Sequence, residues 1–186
     1  MQDRRQDIIK AGLETLGEVG YAGFTQPRIA AKVGLRQSHL TYYFPTRADL
    51  LTAVAQAAIK AQLGVVETAL RGGSLEAVAT AVAGLTARHE TTRILIALAQ
   101  AADEEPRVRT LFRQLSDGIV QRIGQFLKTL TPTAPETNAR LLHAVTVGLA
   151  VIGLATDRPD GARDAAAVLK AALNMLAHRI EKRAIF

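Results

Sequence analysis

Apolar residues recur along the chain at the three- and four-residue steps of α-helices. In the first such segment, residues 7–19, Ile9, Leu13 and Leu16 share one face, and Gly20 ends the pattern. The chain has only 4% aromatic residues, and its many Ala and Leu residues favour helices over strands. We therefore expect an all-α protein. Turn residues separate eight further predicted helices, at approximately 26–33, 35–44, 46–70, 75–88, 91–102, 107–130, 136–155 and 161–182.

Two short predicted helices meet at Gly34. Thr25 can cap the first of them through its hydroxyl, and Pro45 ends the second. This arrangement matches the helix-turn-helix motif, whose second helix inserts its N-terminal residues into the major groove of DNA. We expect a DNA-binding domain over residues 1–45 and a helical ligand-sensing and dimerisation domain over 46–186, with a connecting helix at about 46–70.

The start of the third predicted helix carries side chains that can donate or accept hydrogen bonds at base edges. Arg36, Gln37, Ser38 and His39 are the candidate base-reading residues. The alternative is that this segment is a solvated helix surface and that its aromatic residues belong to the core. For Phe44 we expect the core, whereas Tyr42 and Tyr43 are adjacent on a helix and cannot both point inward.

Charge is unevenly distributed around this motif. The formal net charge is +6, and residues 21–48 contain Arg28, Lys32, Arg36 and Arg47 but no Asp or Glu. We expect this window to form a positive surface that suits a polyanion.

The predicted helix at 136–155 is apolar on nearly every side and therefore needs neighbours on every side. A homodimer formed by the final helix pair would supply them, and the alternative is a central helix buried within one subunit. The candidate dimer-interface residues are Leu149, Ile152, Val168, Leu169, Leu173 and Leu176.

The most apolar run, residues 141–155, is shorter than the roughly 20 residues that span a bilayer. The N-terminus has no apolar signal-peptide core, and the chain has no cysteine. We expect a cytoplasmic protein with no membrane partner.

The stretch "GYAGFTQPRIAAKVGLRQSHLTYYFPTRADLL", within residues 8–51, resembles the DNA-binding domain of the TetR family of bacterial transcriptional regulators. The resemblance implies that Arg36 to His39 face bases and that Thr25, Thr41, Tyr42, Tyr43 and Arg47 contact phosphates. The sequence departs from the family pattern, which commonly has a small hydroxyl residue at position 36, Gly at 38, Tyr at 41 and Lys at 47.

Enzyme signals are weak. His89 begins a sequence similar to the zinc-protease HExxH motif, but Arg93 occupies the second ligand position, and no nucleophile-elbow, P-loop or dinucleotide-binding motif is present. We expect neither catalysis nor a metal or other cofactor. Candidate effector contacts are His89, Arg93, Gln100 and His143.

The sequence thus predicts a homodimeric repressor that binds a palindromic double-stranded DNA operator and is released by an unidentified small-molecule effector. Two alternatives stay open. One is a helical enzyme or lipid-carrying protein with an incidental basic segment, and the other is a DNA-binding scaffold that senses no ligand.

Overall fold

The computed structural model describes residues 3–71, 74–130, 134 and 136–181. Within these ranges the chain forms helices and no strand, which confirms the all-α prediction. The helices are α1 Arg4–Val19, α2 Gln26–Lys32, α3 Gln37–Tyr43, α4 Arg47–Leu70, α5 Leu75–Thr86, α6 His89–Glu104, α7 Pro106–Leu130, α8 Glu136–Thr156 and α9 Gly161–Glu181. The predicted end of the last helix, at about residue 182, lies outside the described residues.

Local capping explains where α1 begins and ends. The carboxylate of Asp3 accepts a hydrogen bond from the backbone N–H of Arg5 at 3.0 Å, so the helix starts three residues earlier than the apolar pattern predicts. Gly20 follows the helix with φ 68° and ψ −170°, a conformation that is accessible essentially only to glycine. The chain therefore turns sharply towards α2.

Backbone packing divides the chain into two compact units. The first comprises Met1–Gln62 and Arg93–Leu115, and the second comprises Leu63–Thr92 and Ser116–Phe186. The first unit therefore extends beyond the predicted boundary at residue 45 and includes most of α6 and the start of α7.

The first unit has one continuous apolar core. Gly12 of α1 allows a close approach to α4, since a Cβ atom at this position would lie 2.5 Å from Val54 Cγ2. The most completely buried large side chains of this core are Ile8, Leu16, Phe24, Ile29, Leu40, Leu50, Leu51, Val54, Leu98 and Val108.

In the second unit α5 packs mainly against α9 and also against α8, and α8 packs on α9. Only Ala139 and Leu142 of α8 are buried, so the alternative of a helix enclosed within one subunit is wrong. Instead α8 and α9 expose a set of large apolar side chains, which we call the α8–α9 apolar face: Leu141, Val147, Val151, Ile152, Val168 and Met175.

Three of the six predicted dimer-interface residues lie in the core of the second unit and not on the α8–α9 apolar face. Leu169, Leu173 and Leu176 are only 3%, 5% and 8% exposed within a single chain, so they belong to the core of the second unit. This part of the prediction is corrected because α9 has apolar residues on two faces and α5 covers one of them. Ile152 and Val168 are exposed, and Leu149 is half-buried.

Within the described part of the chain, α4 and α8 are long and apolar enough to cross a membrane, judged by length and composition only. Core helices of soluble proteins meet the same criterion. The helix α8 is longer than the 15-residue apolar run in the sequence because polar residues extend it at its N-terminal end.

Candidate nucleic-acid interface

The turn between α2 and α3 is held by backbone geometry. Gly34 has φ +68°, and the N–H of Leu35 donates to the carbonyl of Ala30 at 2.8 Å. Thr25 occupies the N-cap of α2, but its hydroxyl forms no capping hydrogen bond. Among the described residues this exposed hydroxyl has no hydrogen-bonding partner, so it is available to an external acceptor.

Two apolar residues and one side-chain hydrogen bond fix α3. Leu40 and Phe44 are 0% and 2% exposed, so Phe44 belongs to the core as expected. The side-chain amide of Gln26 donates to the carbonyl of Phe44 at 2.8 Å and ties the start of α2 to the end of α3. The helix is therefore anchored along one side.

The predicted base-reading residues are exposed at the start of α3. Arg36 is the N-cap, and Gln37, Ser38 and His39 follow it. Among the residues that the structure describes, none of these four side chains forms a hydrogen bond or an ion pair. All their donors and acceptors are therefore directed to solvent or to a bound partner.

The predicted phosphate contacts on α3 differ in whether their hydroxyl groups are free to donate to an external acceptor. Tyr42 is 84% exposed and Tyr43 37%, and their rings meet edge to face with centroids 5.4 Å apart. Thr41 donates its hydroxyl hydrogen to the carbonyl of Ser38 at 2.9 Å. Because a hydroxyl has one hydrogen, Thr41 must break this bond before it can donate to a phosphate.

Three of the four cations in the acid-free window have partners inside the protein. Lys32 pairs with Glu18 at 2.7 Å and Glu14 at 3.3 Å, and the hydrogen bond to Glu18 raises the pKa of Lys32. Arg28 donates to the carbonyl of Gly23 at 2.7 Å. The positive surface is therefore smaller than the sequence predicts, because acidic residues of α1 fold against the window.

Arg47 is the third cation, and its guanidinium binds the loop that follows α1. Nε donates to the carbonyl of Phe24 at 2.8 Å, Nη2 donates to the carbonyl of Tyr21 at 3.1 Å, and Nη1 donates to the Tyr21 hydroxyl at 3.1 Å. The guanidinium carbon lies 4.4 Å from the centroid of the Tyr21 ring. These bonds give Arg47 a structural role, and its predicted phosphate contact stays a prediction.

Polar contacts also connect this region to the α6–α7 corner. The Tyr21 hydroxyl donates to Glu104 Oε2 at 2.7 Å, and burial together with this hydrogen bond raises the pKa of Tyr21. Asp49 accepts hydrogen bonds from the hydroxyl and the N–H of Thr46, and it pairs with Arg107 at 3.0 Å. The bond from the Thr46 hydroxyl, followed by Arg107, lowers the pKa of Asp49.

The second unit contains a small apolar cavity of about 40 Å³. Among the described lining residues the one polar side chain is Thr146, whose hydroxyl donates to the carbonyl of Leu142 at 2.8 Å. The lining residues are Leu70, Val78, Ala79, Val82, Ile123, Phe126, Leu142, Thr146, Leu169 and Leu173.

Comparison with known proteins decides the family. The family model described as "Bacterial regulatory proteins, tetR family" matches residues 8–54, and "Tetracyclin repressor-like, C-terminal domain" matches residues 70–177, more than half of the chain. The chain belongs to the TetR family. Both halves of this regulator thus match the family, although the sequence resemblance extended only through the first.

Individual relatives are more distant. The chain is 37% identical over 54 residues to the class C tetracycline repressor protein of Escherichia coli, a match that covers 29% of this chain and 25% of that protein. A transcriptional regulator from Rhodococcus sp. Rha1 has the same fold, with a TM-score of 0.82 and 20% identity over 94% of this chain and 96% of that chain. The multidrug binding protein EbrR, complexed with proflavin, gives a TM-score of 0.64 and 28% identity over 91% and 99%.

None of the four candidate effector contacts of this TetR-family protein lines the cavity. Arg93 and Gln100 are exposed on α6 within the first unit, whereas His89 and His143 belong to the second. His89 Nδ1 lies 3.6 Å from Asp157 Oδ1, and His143 is half-buried, which lowers its pKa. Sequence reasoning selected polar residues, whereas the cavity is almost entirely aliphatic.

Sequence reasoning did not single out Arg5, a cation of α1 that precedes the matched residues 8–54. Its guanidinium carbon lies 5.0 Å from the centroid of the Phe44 ring at the end of α3. Arg5 is separated from the acid-free window by more than a dozen residues, so a scan of local charge does not find it.

Proposed function

We propose that this TetR-family regulator is a cytoplasmic, homodimeric repressor that binds a palindromic DNA operator and leaves it when a small apolar molecule binds. One observation carries the proposal: the exposed first turn of α3 presents four hydrogen-bonding side chains that have no internal partner among the described residues. A protein surface built for stability alone does not require this arrangement. It fits a helix that reads base edges in the major groove.

In the proposed complex, Arg36, Gln37, Ser38 and His39 face the bases. Thr25, Tyr42 and Tyr43 donate hydroxyl hydrogens to phosphates, and Thr41 joins them when it releases the Ser38 carbonyl. Arg47 supports the loop after α1 and does not contact DNA. The protein needs no metal or other cofactor for this activity, and we assign it no catalytic function.

Selection of tight-binding duplexes from a random DNA library tests this proposal. Fluorescence anisotropy on a selected duplex then compares Gln37→Ala and Arg36→Ala with Gln56→Ala, which removes an exposed glutamine from α4. We expect each reading variant to lose about 1–3 kcal/mol of discrimination between the selected duplex and a scrambled one. Gln56→Ala should bind like the wild type, and equal discrimination by all four proteins would show that α3 does not read the operator.

The α8–α9 apolar face supports the proposed homodimer. Monomeric proteins rarely expose apolar patches of this kind, and a second copy can bury them. The proposed interface contains Leu149, Ile152 and Val168 from the original set and adds Leu141, Val147, Val151 and Met175. A dimer also places two recognition helices on half-sites about one duplex turn, roughly 34 Å, apart.

Sedimentation at increasing protein concentration tests the dimer. We expect twice the mass of the chain for the wild type and a single chain mass for Ile152→Glu, because a carboxylate in an apolar interface is poorly solvated. Leu130→Glu is the matched control, since Leu130 is a 38% exposed residue of α7 outside the face. A monomeric wild type that floats with lipid vesicles would instead favour the lipid-carrying alternative.

The lining of the cavity supports a neutral, apolar effector. A buried cation needs a carboxylate or several aromatic rings, and the described lining provides no charged side chain and one ring, Phe126. A related regulator from Saccharomonospora viridis was solved with choline, a quaternary ammonium compound, and this cavity does not fit such a ligand. An effector larger than a few heavy atoms must displace lining side chains.

A thermal-shift screen of neutral apolar compounds against quaternary ammonium compounds of similar size tests the effector class. A neutral compound at a hundred times its Kd should stabilise the protein by about 2.7 kcal/mol. Ala79→Leu should abolish the shift by filling the cavity, whereas Ala81→Leu changes an exposed residue of α5 and should preserve it. Stabilisation only by the cations would contradict the proposed class, and no response to any compound would favour the scaffold alternative.

A further inference from the structure

The guanidinium of Arg5 lies over an aromatic ring and pairs with no acidic side chain among the described residues. Its guanidinium carbon is 5.0 Å from the centroid of the Phe44 ring, and the residue is exposed. The neighbouring Arg4 differs, because it pairs with Asp7 at 3.7 Å. We infer that Arg5 is a DNA phosphate contact at the C-terminal end of the recognition helix, an inference that rests on the proposed DNA-binding function.

The contact with Phe44 leaves the hydrogen-bond donors of Arg5 free. A guanidinium has five N–H groups, and among the described residues none of those of Arg5 forms a hydrogen bond or an ion pair. The planar fork that binds two phosphate oxygens is therefore unused. A salt bridge to a carboxylate would have used that fork.

The position of Phe44 places Arg5 about one helix length of α3 away from the proposed base-reading residues. Phe44 is the C-cap of α3, and Gln26 binds its carbonyl at 2.8 Å. The seven residues of α3 rise by about 10 Å, close to the roughly 12 Å width of the major groove. When the first turn of α3 meets base edges, its far end reaches the phosphates that border the groove.

The other cations of the region strengthen this assignment. Lys32 is paired with two glutamates, Arg28 with a carbonyl and Arg47 with the loop after α1. Of the cations in residues 21–48, only Arg36 has no partner among the described residues, and it faces bases in the proposed complex. A phosphate-binding arginine with all its side-chain donors free is therefore found outside that window, at Arg5, which contacts Phe44 at the end of α3.

The salt dependence of DNA affinity tests this contact. Each phosphate that a protein neutralises contributes about −0.9 to the slope of log K against log salt concentration. Arg5→Gln should therefore make the slope shallower by about 0.9 per bound subunit on the selected duplex. Over a fourfold rise in salt, the wild type should lose about three- to fourfold more affinity per subunit than this variant.

Two further variants make the result specific. Arg113→Gln removes an exposed arginine of α7 that has no partner among the described residues, so it changes net charge equally, and its slope should match the wild type. Arg5→Lys keeps the charge and should keep most of the slope. Equal slopes for Arg5→Gln and Arg113→Gln would overturn the inference about Arg5. Failure of the wild type to bind any duplex would instead overturn the proposed function.

Discussion

The two units of the chain use their apolar side chains differently. The first unit collects them into one core, and its exposed reading helix presents amides, hydroxyls, an imidazole and a guanidinium. The second unit leaves large aliphatic side chains of α8 and α9 in solvent and contains a cavity. In the proposed function, each unit binds its partner through what it leaves uncovered: DNA for the first, and a second copy together with an apolar ligand for the second.

Core truncations test this contrast with the largest expected effect. Leu50→Ala in the first unit should cost about 3–5 kcal/mol, because Leu50 is 0% exposed in a continuous core and leaves a new cavity. Leu173→Ala should cost about 2–3 kcal/mol, because Leu173 already borders a cavity and has fewer contacts to lose. Urea unfolding measures both, with Gln56→Ala as an exposed control within about 0.5 kcal/mol of the wild type. Equal costs would show that the second core is packed as tightly as the first.

Two helical glycines provide the next test. Gly12→Ala places a Cβ 2.5 Å from Val54 Cγ2, and Val54 is fully buried, so we expect a loss of about 1–3 kcal/mol. Gly64→Ala meets no atom within 4 Å and should stabilise the protein by up to about 1 kcal/mol through helix propensity. The two substitutions are chemically identical, so thermal unfolding should give opposite signs. Stabilisation by both would mean that α1 and α4 can move apart at no cost.

Arg47→Lys distinguishes a structural arginine from a phosphate contact. An ammonium group cannot reach the carbonyls of Tyr21 and Phe24 together, so we expect a loss of about 1–2 kcal/mol in free energy of unfolding. The salt slope of DNA binding should stay unchanged because the charge is retained. Unchanged stability in urea unfolding, with weaker DNA binding, would return Arg47 to the set of phosphate contacts.

The smallest expected effect is a difference between the two units in how a titratable residue changes the stability of the protein with pH. Burial lowers the pKa of His143 below its ordinary 6.5, so its contribution to stability is complete above pH 6.5 and declines as the pH falls through the lower folded-state pKa. Asp49 has a pKa below its ordinary 3.8, so its contribution declines only in stronger acid. Between pH 7 and about 5, His143→Asn should lose less stability than the wild type, and Asp49→Asn should parallel the wild type. Parallel curves for all three proteins would show that His143 is well solvated.

Helix positions could be predicted from the sequence because periodicity and capping are local properties. The fold class, the exposed first turn of α3 and the burial of Phe44 follow from patterns within a few residues. Partners of charged residues do not follow from such patterns. Glu14 and Glu18 lie outside the acid-free window, yet they reach Lys32 once α1 packs against α2.

The second unit was harder to predict for a related reason. In α9, Leu169 and Val168 are adjacent and equally apolar, and only the packing of α5 decides which one is buried. The cavity has no sequence signal because aliphatic residues line cavities and fill cores alike. The four candidate effector contacts, which were chosen by polarity, do not line this cavity, and their role stays a prediction.

The isolation of the reading side chains has a consequence for how this regulator can diversify. Because Arg36, Gln37, Ser38 and His39 contribute no internal hydrogen bonds among the described residues, substitutions there should change folding stability by about 0.5 kcal/mol or less. Under the proposed function, new operator preferences can therefore arise one residue at a time without a loss of folded protein. Gln26 and Phe44, which anchor α3, cannot vary in the same way because they form internal contacts. Substitutions at the exposed positions therefore leave the position of α3 unchanged.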